Sequence, residues 1–166
     1  GVGGTTFARY DFPGLYGDEH FHDCRRGIED WNSRWEVQNC ELATLPDLAT
    51  EHPDVRAALS GYLEALVELG VAGFRIDAAK HIPAEDLAAI LSGLPDETFV
   101  FQEVIQTWEG EVVQASEYFS MGRVTEFRYS AELARVFKEG QLAWLWEFGP
   151  AWGFLPSDNA LVFVDN

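Results

Sequence analysis

The spacing of apolar and polar positions divides this chain in two. Residues 1–46 scatter Gly, Asp, Tyr and Trp with a period of neither 2 nor 3.6, which predicts irregular loops and short strands. From Pro46 and Asp47 onward helical and strand periods alternate. Thr50 reads as an N-cap, Pro53 as a first-turn residue, and Val55, Leu59, Tyr62, Leu63, Leu66 and Val67 recur on one face until Gly70. A strand follows at 71–77, a helix at 83–92 carrying Leu87, Ile90 and Leu91, and a strand at 98–103. Beyond it the pattern predicts a weak helix at 109–116, a strand at 122–127, helices at 129–138 and 140–148, a loop, and a strand at 160–165. Strands this apolar, alternating with helices, predict a parallel sheet buried on both faces. No GxGxxG opens a helix after any strand, which argues against a dinucleotide-binding sheet. The expected class is α/β, part of a (β/α)8 TIM barrel. Residues 47–166 would supply about strands 4 to 7, and residues 1–46 an irregular domain inserted between strand 3 and helix 3. A small complete α/β domain is the plainer alternative.

Composition changes this picture in three ways. A formal charge of −17, from 28 acidic and 11 basic residues, excludes the counterion-release binding that nucleic acids and anionic membranes reward. Apolar residues at 47% and aromatics at 14% argue for a packed core in spite of that charge, and no apolar run is long enough to cross a bilayer. The opening GVGGTTFARYDF has neither an initiator Met nor a signal-peptide core, and LVFVDN stops where a strand hands over to a loop. The expectation is therefore an internal segment of a larger protein. Cys24 and Cys40 can be a disulfide or two buried thiols, and with His20 and His22 they offer no closed zinc spacing.

The chemistry collects at strand ends. In GFRIDAAKH, Arg75 and Asp77 leave the same side of a strand, with Lys80 and His81 just beyond; TFVFQE ends in Glu103 and ALVFVDN in Asp165 and Asn166. A barrel places its reactive groups at such ends. Asp77 and Glu103 on neighbouring strands would stand roughly 5–5.5 Å apart, the separation of a retaining glycosidase. Arg75 would keep Asp77 ionised for nucleophilic attack, and Phe99, Val100 and Phe101 would desolvate Glu103 toward a general acid. Each residue also has a plainer reading. Arg75 and Asp77 can be an ion pair locking the strand end, Glu103 a cap, and Asp165 and Asn166 turn residues. His81 can be a structural histidine, Lys80 an exposed stem and Asp47 a cap. Core packing is the simpler role for most of the Trp residues.

These motifs in this order resemble the α-amylase family of retaining glycoside hydrolases, in particular its animal-type and actinobacterial members. GFRIDAAKH is similar to the family's nucleophile strand, FQEVI to its general-acid strand and FVDN to the start of its FVDNHD segment; VQNCEL, EFRYS and WGFLPS add to the likeness. The resemblance implies Asp77 as nucleophile and Glu103 as acid/base. It implies substrate contacts from Arg75, Lys80 and His81, and calcium held by the Asp47 carboxylate with backbone carbonyls of Gln38 and His81. It also implies chloride at Arg75 and Asn166 in chloride-dependent members, a Cys24–Cys40 disulfide, and a structural Asp165. The implied substrates are starch and malto-oligosaccharides, acted on by a secreted monomer. The family's third acid, its DAVINH segment and its first three barrel strands have no counterpart in the chain, so the isolated 166 residues are expected to be inactive. A related transglycosylase, an α-glucosidase and a non-catalytic carbohydrate-binding relative remain the alternatives.

Overall fold

The computed structural model describes residues 4–164. In chain order the elements are β1 (Cys24–Gly27), α1 (Arg34–Asn39), β2 (Cys40–Glu41), α2 (Pro53–Glu68), β3 (Gly73–Ile76), α3 (Ala84–Leu91), β4 (Phe99–Gln102), β5 (Arg123–Thr125), α4 (Phe127–Glu139) and β6 (Ala160–Leu161). They form two compact units. One comprises the chain up to Ala72 with His81–Glu97; the other comprises Gly73–Lys80 with the chain from Thr98 on.

In the first unit the aperiodic N-terminal stretch is ordered by cross-links. Strands β1 and β2 pair in parallel with Cys24 opposite Cys40, and the two are joined as a disulfide, which settles the alternative of free thiols. Arg26 donates to Glu36, and Glu36 also accepts the backbone N–H groups of Glu29 and Asp30. Helix α2 starts two residues later than a Thr50 cap suggests. His52 caps it by accepting the Asp54 N–H, whereas Thr50 is buried and donates instead to Asp86. Buried Asp86 is also paired with Arg56, and Ser60 donates to the Ile90 carbonyl, so α2 and α3 are clipped by polar contacts as well as packing. Val55 and Leu63 are buried in α2 and Leu87, Ile90 and Leu91 in α3, but Tyr62 is 62% exposed. Its position falls at the edge of the apolar stripe, where a phenol keeps its hydroxyl in water.

The second unit is a parallel sheet in the order β3-β4-β5-β6. Gly73 lies opposite Phe99, Phe101 opposite Arg123, and Val124 opposite Ala160. Spatial order that follows chain order is the singly wound pattern, without the reversal of a doubly wound sheet. Two glycines allow the strands to approach. A Cβ at Gly73 would lie 2.6 Å from the Phe99 carbonyl oxygen, and one at Gly122, with φ +133°, would lie 2.2 Å from that of Val100.

Four expectations need correction. Burial on both faces fails for β3, which is at best half-buried, and Phe99 in β4 is 48% exposed; β3 is the end strand of the described sheet. The weak helix at 109–116 is absent. Side chains of Gln106, Glu111 and Gln114 capture the local backbone groups, and a 3₁₀ segment follows at Ala115–Met121. The segment expected to be helical at 140–148 is a 3₁₀ turn at Leu142–Glu147. Core packing also fails for the tryptophans, none of which is buried; Trp31, Trp35, Trp108 and Trp146 are each more than half exposed. Among the described residues no helix is long and apolar enough to cross a membrane.

Candidate active site

Strand β3 ends at Ile76, and the parallel register carries Glu103 alongside, its N–H donating to the Ile76 carbonyl. Asp77 and Glu103 thus leave the same end of adjacent strands. Arg75 ties them together. Its Nη2 lies 3.0 Å from Asp77 Oδ1 and 2.8 Å from Glu103 Oε1. The two carboxylate oxygens are therefore no more than about 6 Å apart, a spacing that admits one scissile bond between them. The ion pair proposed as the plainer reading of Arg75 and Asp77 is present, but it does not stop at Asp77.

The two acids differ in surroundings. The Asp77 side chain is 77% exposed and that of Glu103 only 10%. Glu103 is buried as its apolar strand suggested, yet both of its oxygens accept hydrogen bonds, Oε1 from Arg75 and Oε2 from the Ala78 N–H at 3.1 Å. Ala78 reaches that position with φ +49°, a left-handed conformation that costs a non-glycine residue roughly 1–2 kcal/mol. The chain therefore bends sharply after Asp77 and turns an amide toward Glu103.

Lys80 follows in the same unit and is mostly buried, so it is no exposed stem. Its ammonium donates to the Ile105 carbonyl at 2.8 Å and pairs with Glu111. Burial works against the Glu111 charge, but Lys80 and Thr107 prevail and hold its pKa below the usual carboxylate value.

In the first unit, His81 Nδ1 lies 2.8 Å from the Val37 carbonyl, one residue before Gln38, and its ring meets Trp31 edge-on. Asp47 is mostly buried, and its Oδ2 is 2.6 Å from His22 Nδ1. Burial pushes the Asp47 carboxyl above its ordinary pKa against the pull of His22 and His81. Burial also opposes charge on His22, but Asp47 and Glu51 outweigh it and raise the imidazole pKa. The Asp47 carboxylate offers hard oxygen donors, which suit calcium in kind, with Oδ2 engaged by His22. Asp165 and Asn166, expected as a structural acid and a chloride contact, lie outside the described residues.

Four relevant groups escaped the sequence reading. Glu126 follows β5 as Glu103 follows β4, so the pattern of acids at strand ends was sufficient to find it. It is 1% exposed and fully engaged by Arg128 and the Leu155 N–H, which makes it a structural lock. Glu111 and His22 carried no local signal. His20, His52 and Asp54 bring one donor atom each within 4.8 Å, a cluster able to hold a metal ion and distinct from the expected trio. His52 caps helix α2 and Asp54 lies in its first turn, so spacing from His20 alone could not reveal the cluster.

Known proteins resemble this chain in sequence and fold. Residues 26–141 match the family described as alpha amylase, catalytic domain. The chain is 49% identical to an α-amylase of Streptomyces violaceus over 100% of this chain and 29% of that protein. It is 45% identical to an α-amylase of Thermomonospora curvata over 100% of this chain and 28% of that one. Among solved structures, α-amylase I of Eisenia fetida in a maltohexaose complex aligns with a TM-score of 0.85 at 38% identity, covering 93% of this chain and 35% of the other. The chain thus spans about a third of the length of these relatives.

Proposed function

We infer the function from an established premise: the chain belongs to the α-amylase catalytic-domain family. The full-length protein is an endo-acting retaining hydrolase of α-1,4-glucosidic bonds in starch and malto-oligosaccharides. The observation that carries this reading is the single Arg75 nitrogen shared by Asp77 and Glu103 at neighbouring strand ends.

Asp77, open to solvent on one side and held by Arg75 on the other, attacks the anomeric carbon. Glu103 delivers its proton to the departing glycosidic oxygen and then withdraws one from the water that releases the sugar. Since Arg75 touches both carboxylates, it keeps them at one separation through both steps. Lys80 and His81 contribute to the sugar subsites, and Arg75 with Asn166 forms the chloride site where one is used. Residues 1–46 form the inserted domain, and 47–166 about strands 4 to 7 of a (β/α)8 barrel.

Calcium would be held by the Asp47 carboxylate and the backbone carbonyls of Gln38 and His81. When bound it supplies charge compensation for a buried carboxylate and a tie between chain segments. The Cys24–Cys40 disulfide supports an oxidising, extracellular location, and the acidic surface supports a monomer that binds neither nucleic acid nor membrane.

The test is anomer-resolved product analysis of amylose digestion by the full-length protein. α-Anomers from internal cleavage are expected, and Asp77→Asn should lower kcat by on the order of 10³-fold or more with the fold intact. Inverted products, exclusive release from chain ends, or a fully active Asp77→Asn variant would overturn the reading. The isolated 166 residues are expected to leave amylose uncut.

A further inference from the structure

Where the N-terminal stretch meets the start of α2, within the first unit, a buried polar atom is left without a partner. His20 closes the 3₁₀ turn Asp18–His20 and is 9% exposed. Its ring packs edge-on against Tyr16 and against His52, with the two imidazole centroids 4.8 Å apart. His20 Nδ1 accepts the Gly17 N–H at 2.8 Å. A neutral imidazole has a single lone pair, so the proton is on Nε2. Yet Nε2 is buried and has no hydrogen-bond partner among the described residues. It faces the Asp54 carboxylate, whose Oδ2 lies 3.7 Å away, too far for a hydrogen bond.

An idle buried donor is costly, and the Asp54 side chain, 78% exposed, has the freedom to move in and satisfy it. The three side chains together offer a different use. His20, His52 and Asp54 each bring one donor atom within 4.8 Å of the others. Around a tetrahedral ion with bonds of about 2.0–2.1 Å, ligand atoms stand about 3.3 Å apart. Closing on such an ion takes a shift of roughly 1 Å or more, which falls to exposed Asp54 and half-buried His52 while His20 stays packed. Two imidazoles and one carboxylate are a poor set for calcium, which takes oxygen ligands, and a good one for zinc and its neighbours. The exposed side of the cluster admits the ion and leaves room for a water as fourth ligand.

We propose that His20, His52 and Asp54 bind a divalent transition-metal ion, zinc in the first place, and so tie the turn at Asp18–His20 to the start of α2. The site is separate from the calcium position assigned to Asp47. Binding exchanges one set of contacts for another. His52 Nδ1 accepts the Asp54 N–H at 3.2 Å, as His20 Nδ1 accepts that of Gly17. Whichever ring nitrogen meets the ion, the one lone pair of each imidazole goes to it, and both N–H groups lose their acceptors. No proton has to leave: where Nε2 is the ligand, its proton moves to Nδ1. The ion therefore joins the two segments through side chains while releasing two backbone contacts, which moderates its affinity and marks its presence at two amides.

The test titrates Zn²⁺ into the full-length protein kept saturated with calcium, followed by calorimetry and by amide hydrogen exchange. Zinc should bind saturably without displacing calcium, and exchange should quicken at the Gly17 and Asp54 amides. Co²⁺ in place of zinc should give the visible absorption of a four-coordinate site. His52→Ser, which keeps an oxygen cap on α2, and Asp54→Ala, which leaves the buried histidine in place, should each weaken zinc binding about tenfold or more and leave calcium affinity unchanged. No saturable zinc uptake, zinc that expels calcium, unaltered zinc affinity in either variant, unchanged exchange at the two amides, or a six-coordinate Co²⁺ spectrum would overturn the proposal.

Discussion

The first fifty residues and the β3–β6 sheet are ordered by different means, and the difference shows where each is vulnerable. The N-terminal stretch has little regular backbone pairing; a disulfide, the Arg26–Glu36 pair and amides gathered on Glu36 do that work. The sheet is ordered by its backbone ladder, and its charges sit at the strand ends, where Arg75 joins Asp77 and Glu103 and Arg128 joins Glu126. One region answers to redox state and acid, the other to the shape of the backbone.

The largest effect that would break this contrast comes from Gly122. Gly122→Ala places a methyl against the Val100 carbonyl in a conformation hostile to side chains, and about 3 kcal/mol or more should be lost. In urea melts of the full-length protein the loss should appear as a lowered midpoint, with exchange protection falling in β4 and β5. An unchanged midpoint would mean that the strands can separate at no cost, contrary to a ladder-held sheet.

A comparable loss should follow from removing the disulfide. Replacing Cys24 and Cys40 by Ser frees a loop with a sequence separation of 16, worth about 3 kcal/mol in the unfolded chain. Amide exchange should rise between residues 24 and 41 and stay unchanged in β3–β6. Uniform loss of protection would show that the two regions share one source of order.

The smallest effect is an acid limb. Arg26 and the N–H groups of Asp30 and Glu29 hold the Glu36 carboxyl down to about 2 from its usual 4.5. A folded-state pKa below the unfolded value stabilises the protein at pH above about 4.5, and that contribution is lost as pH falls through about 2. Glu36→Gln should flatten this limb in melts followed across that window, and a limb of unchanged slope would remove Glu36 as its source. Exposure of the pair to solvent keeps the effect modest.

The candidate site was legible because local order carried it. A strand that ends in Asp77 and another that ends in Glu103 declare themselves by composition, and their alternation with helices predicts that they run parallel. What was not legible was every partner lying far along the chain: Glu111 on Lys80, His22 on Asp47, and Asp54 and His52 beside His20. The same limit misplaced the α2 cap, because Thr50 has the capping chemistry but finds a buried acceptor in Asp86, thirty-six residues away. It also misjudged the tryptophans, whose bulk suggests a core that the fold does not build around them.

By itself the sequence determined the alternation of elements, the direction of the sheet and the identity of the acids at its strand ends, since these follow from period and polarity within a few residues. Only the tertiary structure decided that Arg75 serves two carboxylates, that Ala78 bends to offer Glu103 an amide, and that Lys80 meets Glu111. Each of these depends on through-space distances between segments, and a backbone hydrogen bond or an ion pair acts over a few ångströms of space, whatever the separation along the chain.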